Sequence, residues 1–219
     1  MEFPQEIIQR MEKTAVVAGF SVDKAEHGVP LTKALLAGGI GAIELTLRTP
    51  AALQALKLIC AEVPDMLIGV GTILTPETAV QVKEAGVDFG VSPGMNPRVV
   101  RAAQGTGLPF APGICTPSDL EGAIELGCRL VKFFPAEASG GVTYLRSMAA
   151  PYKHLGIRYF PLGGLNADNM MDYLKEDNIP CIGGSWIIKK DLVENEDWDG
   201  IAARAAEVRD SVKQGAPHA

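Results

Sequence analysis

Residues 129–137 read Arg129-Leu130-Val131-Lys132-Phe133-Phe134-Pro135-Ala136-Glu137, a lysine set in an apolar, β-prone run that a proline stops. Strand side chains alternate between faces, so Lys132 shares a face with Leu130 and Phe134 while Val131 and Phe133 take the other. Neither face is a wet one. Water stabilises the charge of a lysine, so burial of the side chain needs a reason. Desolvation lowers a lysine pKa by as much as ~3–5 units, and a neutral amine is a nucleophile that attacks ketones. The plain alternative is a strand-end lysine whose ammonium snorkels back to water.

Short apolar runs of the same kind recur on both sides of this one. Strands are read beginning near Thr14 (TAVVAGF), Ala42 (AIELTLR), Leu67 (LIGVGTI), Asp88 (DFGVSP), Pro109 (PFAPGI), Arg129 (RLVKFFP), Arg158 (RYFPLGG) and Ile179 (IPCIGGSW). Amphipathic segments fit between them at 30–37, 51–62, 76–85, 97–104, 117–126 and 167–175. Four of the intervening segments end in turn glycines: Gly38-Gly39, Gly86, Gly107 and Gly127. A leading helix is expected over 1–13, where Ile7, Ile8 and Met11 recur at helical spacing. A final helix near 198–212 carries Ile201, Ala205, Val208 and Val212 on one stripe.

Strands alternating with helices imply parallel pairing, because each crossover must return over the sheet. Eight such units in 219 residues predict an α/β fold of one domain over 1–219, a (β/α)8 TIM barrel with a loose tail at 214–219. A doubly wound sheet is the alternative; it would have fewer strands and a glycine fingerprint after the first, which this chain lacks. Barrel sites lie at the C-terminal ends of the strands, and Lys132 falls toward that end of strand six.

Hydrophobic residues make up 47% of the chain and charged residues 21%, the balance of an ordinary soluble globular protein. A formal net charge of −6 argues against nucleic-acid or membrane partners and leaves anionic ligands to local clusters of donors. The beginning of the chain carries no basic-then-apolar signal, and no apolar run is long enough to span a bilayer, so the expected location is cytoplasmic. Cys60, Cys115, Cys128 and Cys181 are scattered without a CxxC pair, which reads as reduced thiols. His27, His154 and His218 have no HxH or HxxxH spacing, so a metal-dependent carbonyl chemistry is not expected.

Strand two decides what Lys132 is for. Along Ala42–Pro50, Ile43, Leu45 and Leu47 fall on one face, suited to surrounding helices, while Glu44, Thr46 and Arg48 fall on the other, the interior of a barrel. Polar groups pointing inward are costly unless they pair with each other or with a ligand. A structural Glu44–Arg48 ion pair is one reading. The other is a carboxylate placed beside the amine of Lys132, the acid–base partner that imine formation needs. Thr72 leaves a hydroxyl at the end of strand three. Paired glycines follow strands seven and eight: Gly163-Gly164 before Asn166, and Gly183-Gly184 before Ser185. Such turns bring backbone N–H groups close to an anion, and barrels commonly bind phosphate there; tight turns with no ligand are the alternative. His27 and Trp186 read as packing residues, and Glu137 as an exposed carboxylate with at most a minor orienting role.

The segments GAIELTLRTP, IGVGTILTP, VSPGMNP, PFAPGICTPSD, LVKFFPAEASGG, PLGGLNADN and CIGGSW, in this order from about Thr14 to beyond Ser185, resemble the class I 2-keto-3-deoxy-6-phosphogluconate (KDPG) aldolases. These are closely related to the 4-hydroxy-2-oxoglutarate (KHG) aldolases. The resemblance implies a homotrimeric barrel without metal or other cofactor, acting on a small 2-keto acid. It makes Lys132 the Schiff-base lysine and Glu44 the general acid/base. Arg48 and Thr72 would hold the carboxylate of the pyruvate half, Pro93 and Phe134 its apolar wall, and Gly163, Gly164 and Ser185 the distal phosphate. The implied reaction is cleavage of KDPG to pyruvate and glyceraldehyde 3-phosphate.

The chain departs from the family pattern in two places. Leu162 stands where a threonine usually precedes the glycine pair of strand seven, which removes a hydroxyl donor from the phosphate site. Ala18-Gly19-Phe20 stands where a proline and branched residues are usual in strand one. A preference for unphosphorylated 4-hydroxy-2-oxoglutarate is therefore the nearest competing reading. A phosphosugar isomerase or decarboxylase barrel and a non-catalytic metabolite-binding barrel are further alternatives, and neither needs Lys132 to form an imine.

Overall fold

The structure, a computed structural model, describes residues 3–215. Its elements alternate in chain order as α1 (Gln5–Thr14), β1 (Val16–Phe20), α2 (Gly28–Ala37), β2 (Ala42–Thr46), α3 (Ala52–Glu62), β3 (Leu67–Gly71), α4 (Pro76–Glu84), β4 (Phe89–Val91) and α5 (Pro97–Thr106). There follow β5 (Phe110–Ala111), β6 (Gly113–Ile114), α6 (Pro117–Glu125), β7 (Leu130–Phe133), α7 (Gly141–Ala149), β8 (Arg158–Pro161), α8 (Met170–Leu174), β9 (Ile182–Gly184), α9 (Lys190–Glu194) and α10 (Trp198–Gly215).

Local chemistry sets several helix starts. α4, α5 and α6 each begin with a proline, whose missing N–H costs nothing in the first turn. The residue before each proline caps the helix: Thr75 accepts from the Thr78 N–H, Asn96 from Arg98, and Thr116 from Asp119 within a reciprocal capping box. The helix expected over 167–175 contracts to α8, because the side chains of Asn166 and Asn169 bond to the backbone of 166–169 and hold it as a turn. Two helices, α7 and α9, come in addition to the segments read from the sequence. The tail expected from Gln214 is corrected in part: Gln214 and Gly215 complete α10, and 216–219 lie outside the described residues.

All strand pairs are parallel and fall into two sheets, of order β5-β4-β3-β2-β1-β9 and β6-β7-β8. The break between them is Pro112, which has no N–H to give and divides one strand into β5 and β6. Its carbonyl still accepts the Lys132 N–H at 2.9 Å, so the sheets remain joined at that point. At the other junction, among the described residues, no ladder joins β8 to β9; Leu162 packs against Gly183 instead.

The apolar residues separate as strand alternation requires. One cluster fills the space between strands and helices. The second collects Val17, Ala42, Leu67, Phe89, Val91, Ala111, Leu130, Phe160, Leu162 and Cys181 from the opposite faces of the strands. Ile7, Ile8 and Met11 of α1 join this inner cluster, so the leading helix lies across the N-terminal ends of the strands. Each of the larger side chains among them (Val, Leu, Ile, Met, Phe) contributes about 1.5–3 kcal/mol by leaving water. The strand ends that carry polar groups are left for the other mouth.

Candidate active site

Lys132 lies on β7 and Glu44 on β2, one from each sheet, and both point into the inner space. The Lys132 Nζ donates to Glu44 Oε1 at 2.9 Å, with 6% and 3% of the two side chains exposed. The amine also sits 5.2 Å from the centroid of the Phe134 ring. Room for the carboxylate is made by Gly71, the last residue of β3: a methyl group there would lie 1.9 Å from Glu44 Oε1. This close approach explains the glycine at that position.

The other strand-two residues divide. Thr46 is buried and spends its hydroxyl on the Phe20 carbonyl at 3.1 Å. Arg48 lies beyond the end of β2, exposed at the mouth, with Nε 3.4 Å from the Thr72 hydroxyl. Thr72 itself has φ 64, a left-handed backbone uncommon for a residue other than glycine. The Glu44–Arg48 ion pair considered from the sequence is not formed; Glu44 pairs with Lys132.

A cavity of about 670 Å³ opens above this pair and is lined by Lys132, Glu44, Arg48, Phe134, Gly163 and Ser185. Gly163 and Gly164 have φ of 96 and 84, a backbone that glycine adopts without steric cost. Among the described residues, the N–H groups of Gly163, Gly164 and Ser185 donate to no protein acceptor. Those of Gly163 and Ser185 belong to cavity-lining residues and are available to a ligand there. Three expected site residues lie outside the lining. Thr72 stands behind Arg48. Pro93 follows β4, and its backbone packs so closely on Gly113 that a methyl group there would lie 2.3 Å from the Pro93 carbonyl. Gly164 faces Glu137.

The lining also contains residues that the sequence did not mark as site residues: Ser21, Lys24 and His27 after β1, and Lys190 and Glu194 on α9. His27 is buried, with Nε2 3.2 Å from Glu196 Oε1 and its ring edge-on to Trp198 at 5.6 Å. Its packing role is therefore real, and the cavity wall is part of that packing. Leu162 is 7% exposed and presents an apolar side chain to the cavity beside Gly163. Among the described residues, no group of three or more His, Cys, Asp or Glu could hold a metal ion, and no helix is long and apolar enough to cross a membrane.

A buried lysine–glutamate pair beneath an open cavity, with an arginine at one side and free N–H groups at another, suits carbon–carbon chemistry on an anionic keto acid. The family model for KDPG and KHG aldolase matches residues 7–204. The chain belongs to the KDPG and KHG aldolase family. It is 41% identical over 209 residues to the 2-dehydro-3-deoxy-phosphogluconate aldolase of Haemophilus influenzae, a match covering 95% of this chain and 98% of that one. It is 42% identical over 198 residues to the KHG/KDPG aldolase of Escherichia coli, covering 90% and 92% of the two chains. Among solved structures, the KDPG aldolase of Legionella pneumophila, with pyruvate captured as a covalent carbinolamine, superposes with a TM-score of 0.87 at 35% identity. That match covers 92% of this chain and 97% of the other. Members of this family are lyases, and so is this chain.

Proposed function

We propose that this aldolase cleaves KDPG to pyruvate and glyceraldehyde 3-phosphate through a Schiff base on Lys132. The observation that carries the reading is the 2.9 Å contact between Lys132 and Glu44 on the floor of the cavity. Attack on a ketone requires the unprotonated amine, and Glu44 is within reach to take its proton. Addition to C2 gives a carbinolamine, and loss of water gives a protonated imine. That cation draws electrons from the C3–C4 bond. Glu44, directly or through a water, removes the proton of the C4 hydroxyl, the bond breaks, and the aldehyde leaves. Protonation of the remaining enamine at C3 and hydrolysis of the imine release pyruvate and restore the lysine.

The remaining residues are assigned by their positions at the mouth. Arg48, supported by Thr72, takes the carboxylate of the pyruvate half; Phe134 covers its apolar side, with Pro93 in the loop beyond. Gly163, Gly164 and Ser185 offer uncommitted donors to the distal phosphate. We further propose that the two sheets are arcs of one (β/α)8 barrel forming a single domain, and that the protein works as a cytoplasmic homotrimer without a cofactor. The family resemblance supports these last points.

The test is borohydride reduction in the presence of pyruvate, read by peptide mass. A pyruvate-derived adduct on Lys132 is the expected result; an unmodified chain would remove the Schiff-base reading. One observation favours a second substrate: Leu162 gives the cavity wall an apolar side chain where a hydroxyl would serve a phosphate. Unphosphorylated 4-hydroxy-2-oxoglutarate, cleaved to pyruvate and glyoxylate, is that substrate. Equal or reversed kcat/KM values for the two compounds would favour it.

A further inference from the structure

Glu137 and Tyr173 have no part in the chemistry above, yet they tie together the two loops on which it depends. The N–H groups of Ala136 and Glu137 donate to the carbonyls of Leu162 at 2.8 Å and Gly163 at 3.0 Å. The segment leaving the lysine strand is thus laced to the glycine turn after β8. The side chain of Glu137 then fills the place of a side chain at Gly164: a methyl group on Gly164 would lie 2.6 Å from the Glu137 Cβ. Beyond the turn, Glu137 Oε1 accepts the hydroxyl of Tyr173 on α8.

Tyr173 is only 1% exposed, so its own position is fixed by packing. Burial first, and then the bond to Glu137, push its phenol well above the usual range, so the hydroxyl keeps its proton and donates throughout the neutral range. Asn169, just before the same helix, adds a second tie by donating Nδ2 to the Gly164 carbonyl at 3.3 Å. This grip has a physical purpose. A pair of glycines in left-handed conformation has no side chains of its own to hold it, and free glycine is the most mobile of residues. The N–H groups of the turn are useful to an anion only if they stay aimed at it, because binding depends on geometry held to about 0.5 Å.

We propose that Glu137 and Tyr173 are positioning residues which, bonded to each other behind Gly163-Gly164, hold the N–H groups of that turn at a fixed place relative to Lys132 for the distal anion of the substrate. The proposal rests on the assignment of this turn to the distal phosphate. Neither residue touches the reacting atoms.

The experiment compares kcat/KM for KDPG with that for unphosphorylated 2-keto-3-deoxygluconate in the wild type, Tyr173→Phe, Glu137→Ala and Glu137→Gln, each first checked for its fold by circular dichroism. The wild type should favour the phosphorylated compound. In Tyr173→Phe and Glu137→Ala the ratio should fall about tenfold, the effect of one misplaced hydrogen bond to a charged group. Glu137→Gln, whose amide oxygen still accepts from Tyr173, should keep most of the wild-type ratio. A purely structural role would lower both substrates together and leave the ratio unchanged. That result, with a wild type that does discriminate, overturns the positioning role and leaves the aldolase reading standing. A wild type that cleaves both equally removes the phosphate assignment and the proposal with it. A wild type that cleaves neither removes the KDPG reading, and the proposal with it.

Discussion

Lys132 and Glu44 stand 88 positions apart in the chain, on strands of different sheets, and their side chains meet at 2.9 Å in the buried space between. A buried ion pair is stable only as a pair. Its charges lose several kcal/mol of hydration each, and mutual attraction offsets this only while both are present. In the proposed reaction the same contact supplies the nucleophile and its base, so one geometry would answer for both folding and chemistry.

Removal of one partner should therefore cost more stability than removal of both. Lys132→Met is expected to destabilise the fold by about 3–5 kcal/mol, because Glu44 is left buried without its counter-ion. The double variant Lys132→Met with Glu44→Leu should recover most of that loss. Urea unfolding of the singles and the double measures it; additive losses would show that the two groups do not interact.

Gly71 tests the geometry without touching either group. Gly71→Ala puts a methyl group 1.9 Å from Glu44 Oε1 and 2.7 Å from its Cδ, so the carboxylate must move away from Lys132. Loss of a placed acid–base group lowers kcat by roughly 10²–10⁴-fold. Steady-state kinetics on the folded variant reads this, and an unchanged kcat would show that Glu44 is not required where it lies.

Arg48 has the Thr72 hydroxyl as its partner and no carboxylate within ion-pair distance among the described residues. It is thus free to hold the carboxylate of a keto acid. Arg48→Ala should raise KM more than it lowers kcat, by roughly tenfold or more, the value of a charge-assisted hydrogen bond. Thr72→Ala should show the same pattern more weakly, since Thr72 reaches the site through Arg48. A fall in kcat alone would place Arg48 in the chemical step instead.

The thiols give a prediction in pH. Burial first, and then the charge of Asp88, push Cys60 up to about 11; burial also raises Cys128 and raises Cys181 further still. A raised thiol pKa keeps the unreactive protonated form to higher pH. Iodoacetamide at pH 8 should spare all three in the folded protein, and Cys60 should begin to react only as pH approaches 11. The linked stability runs the same way. The protonated Cys60 thiol favours the folded state in full below the ordinary value of 9.0, and that contribution is lost as pH rises through about 11. Peptide mass after timed labelling checks the order.

Leu162 is the last test. Its side chain fills the space above Gly183, where a methyl group would lie 2.3 Å from the leucine, and it meets the cavity beside Gly163. Leu162→Thr should raise kcat/KM for KDPG relative to 4-hydroxy-2-oxoglutarate, by supplying a hydroxyl next to the free N–H groups of the turn. No change in that ratio would show that the distal anion does not reach this wall.

Period-two alternation is a local property, and it suffices to put Lys132, Glu44 and Thr46 on the inner face of their strands and to separate them from Val131, Ile43 and Leu45. The threonine–proline and asparagine–proline starts of α4, α5 and α6 are local in the same sense, since each cap bonds within a few residues of itself. The family-specific segments, too, are written in consecutive residues. What could not be read there depends on contacts between distant parts of the chain. The choice of Lys132 rather than Arg48 as the partner of Glu44 follows from strands that meet only on folding. So do the stacking of Pro93 on Gly113, the entry of Lys24, His27 and Lys190 into the cavity wall, and the packing of Leu162 where β8 and β9 do not pair. A sequence determines which face a side chain takes, because that is set by the backbone torsions of its neighbours; it leaves open which other side chain it meets across the interior, because that distance exists only once the sheets are assembled.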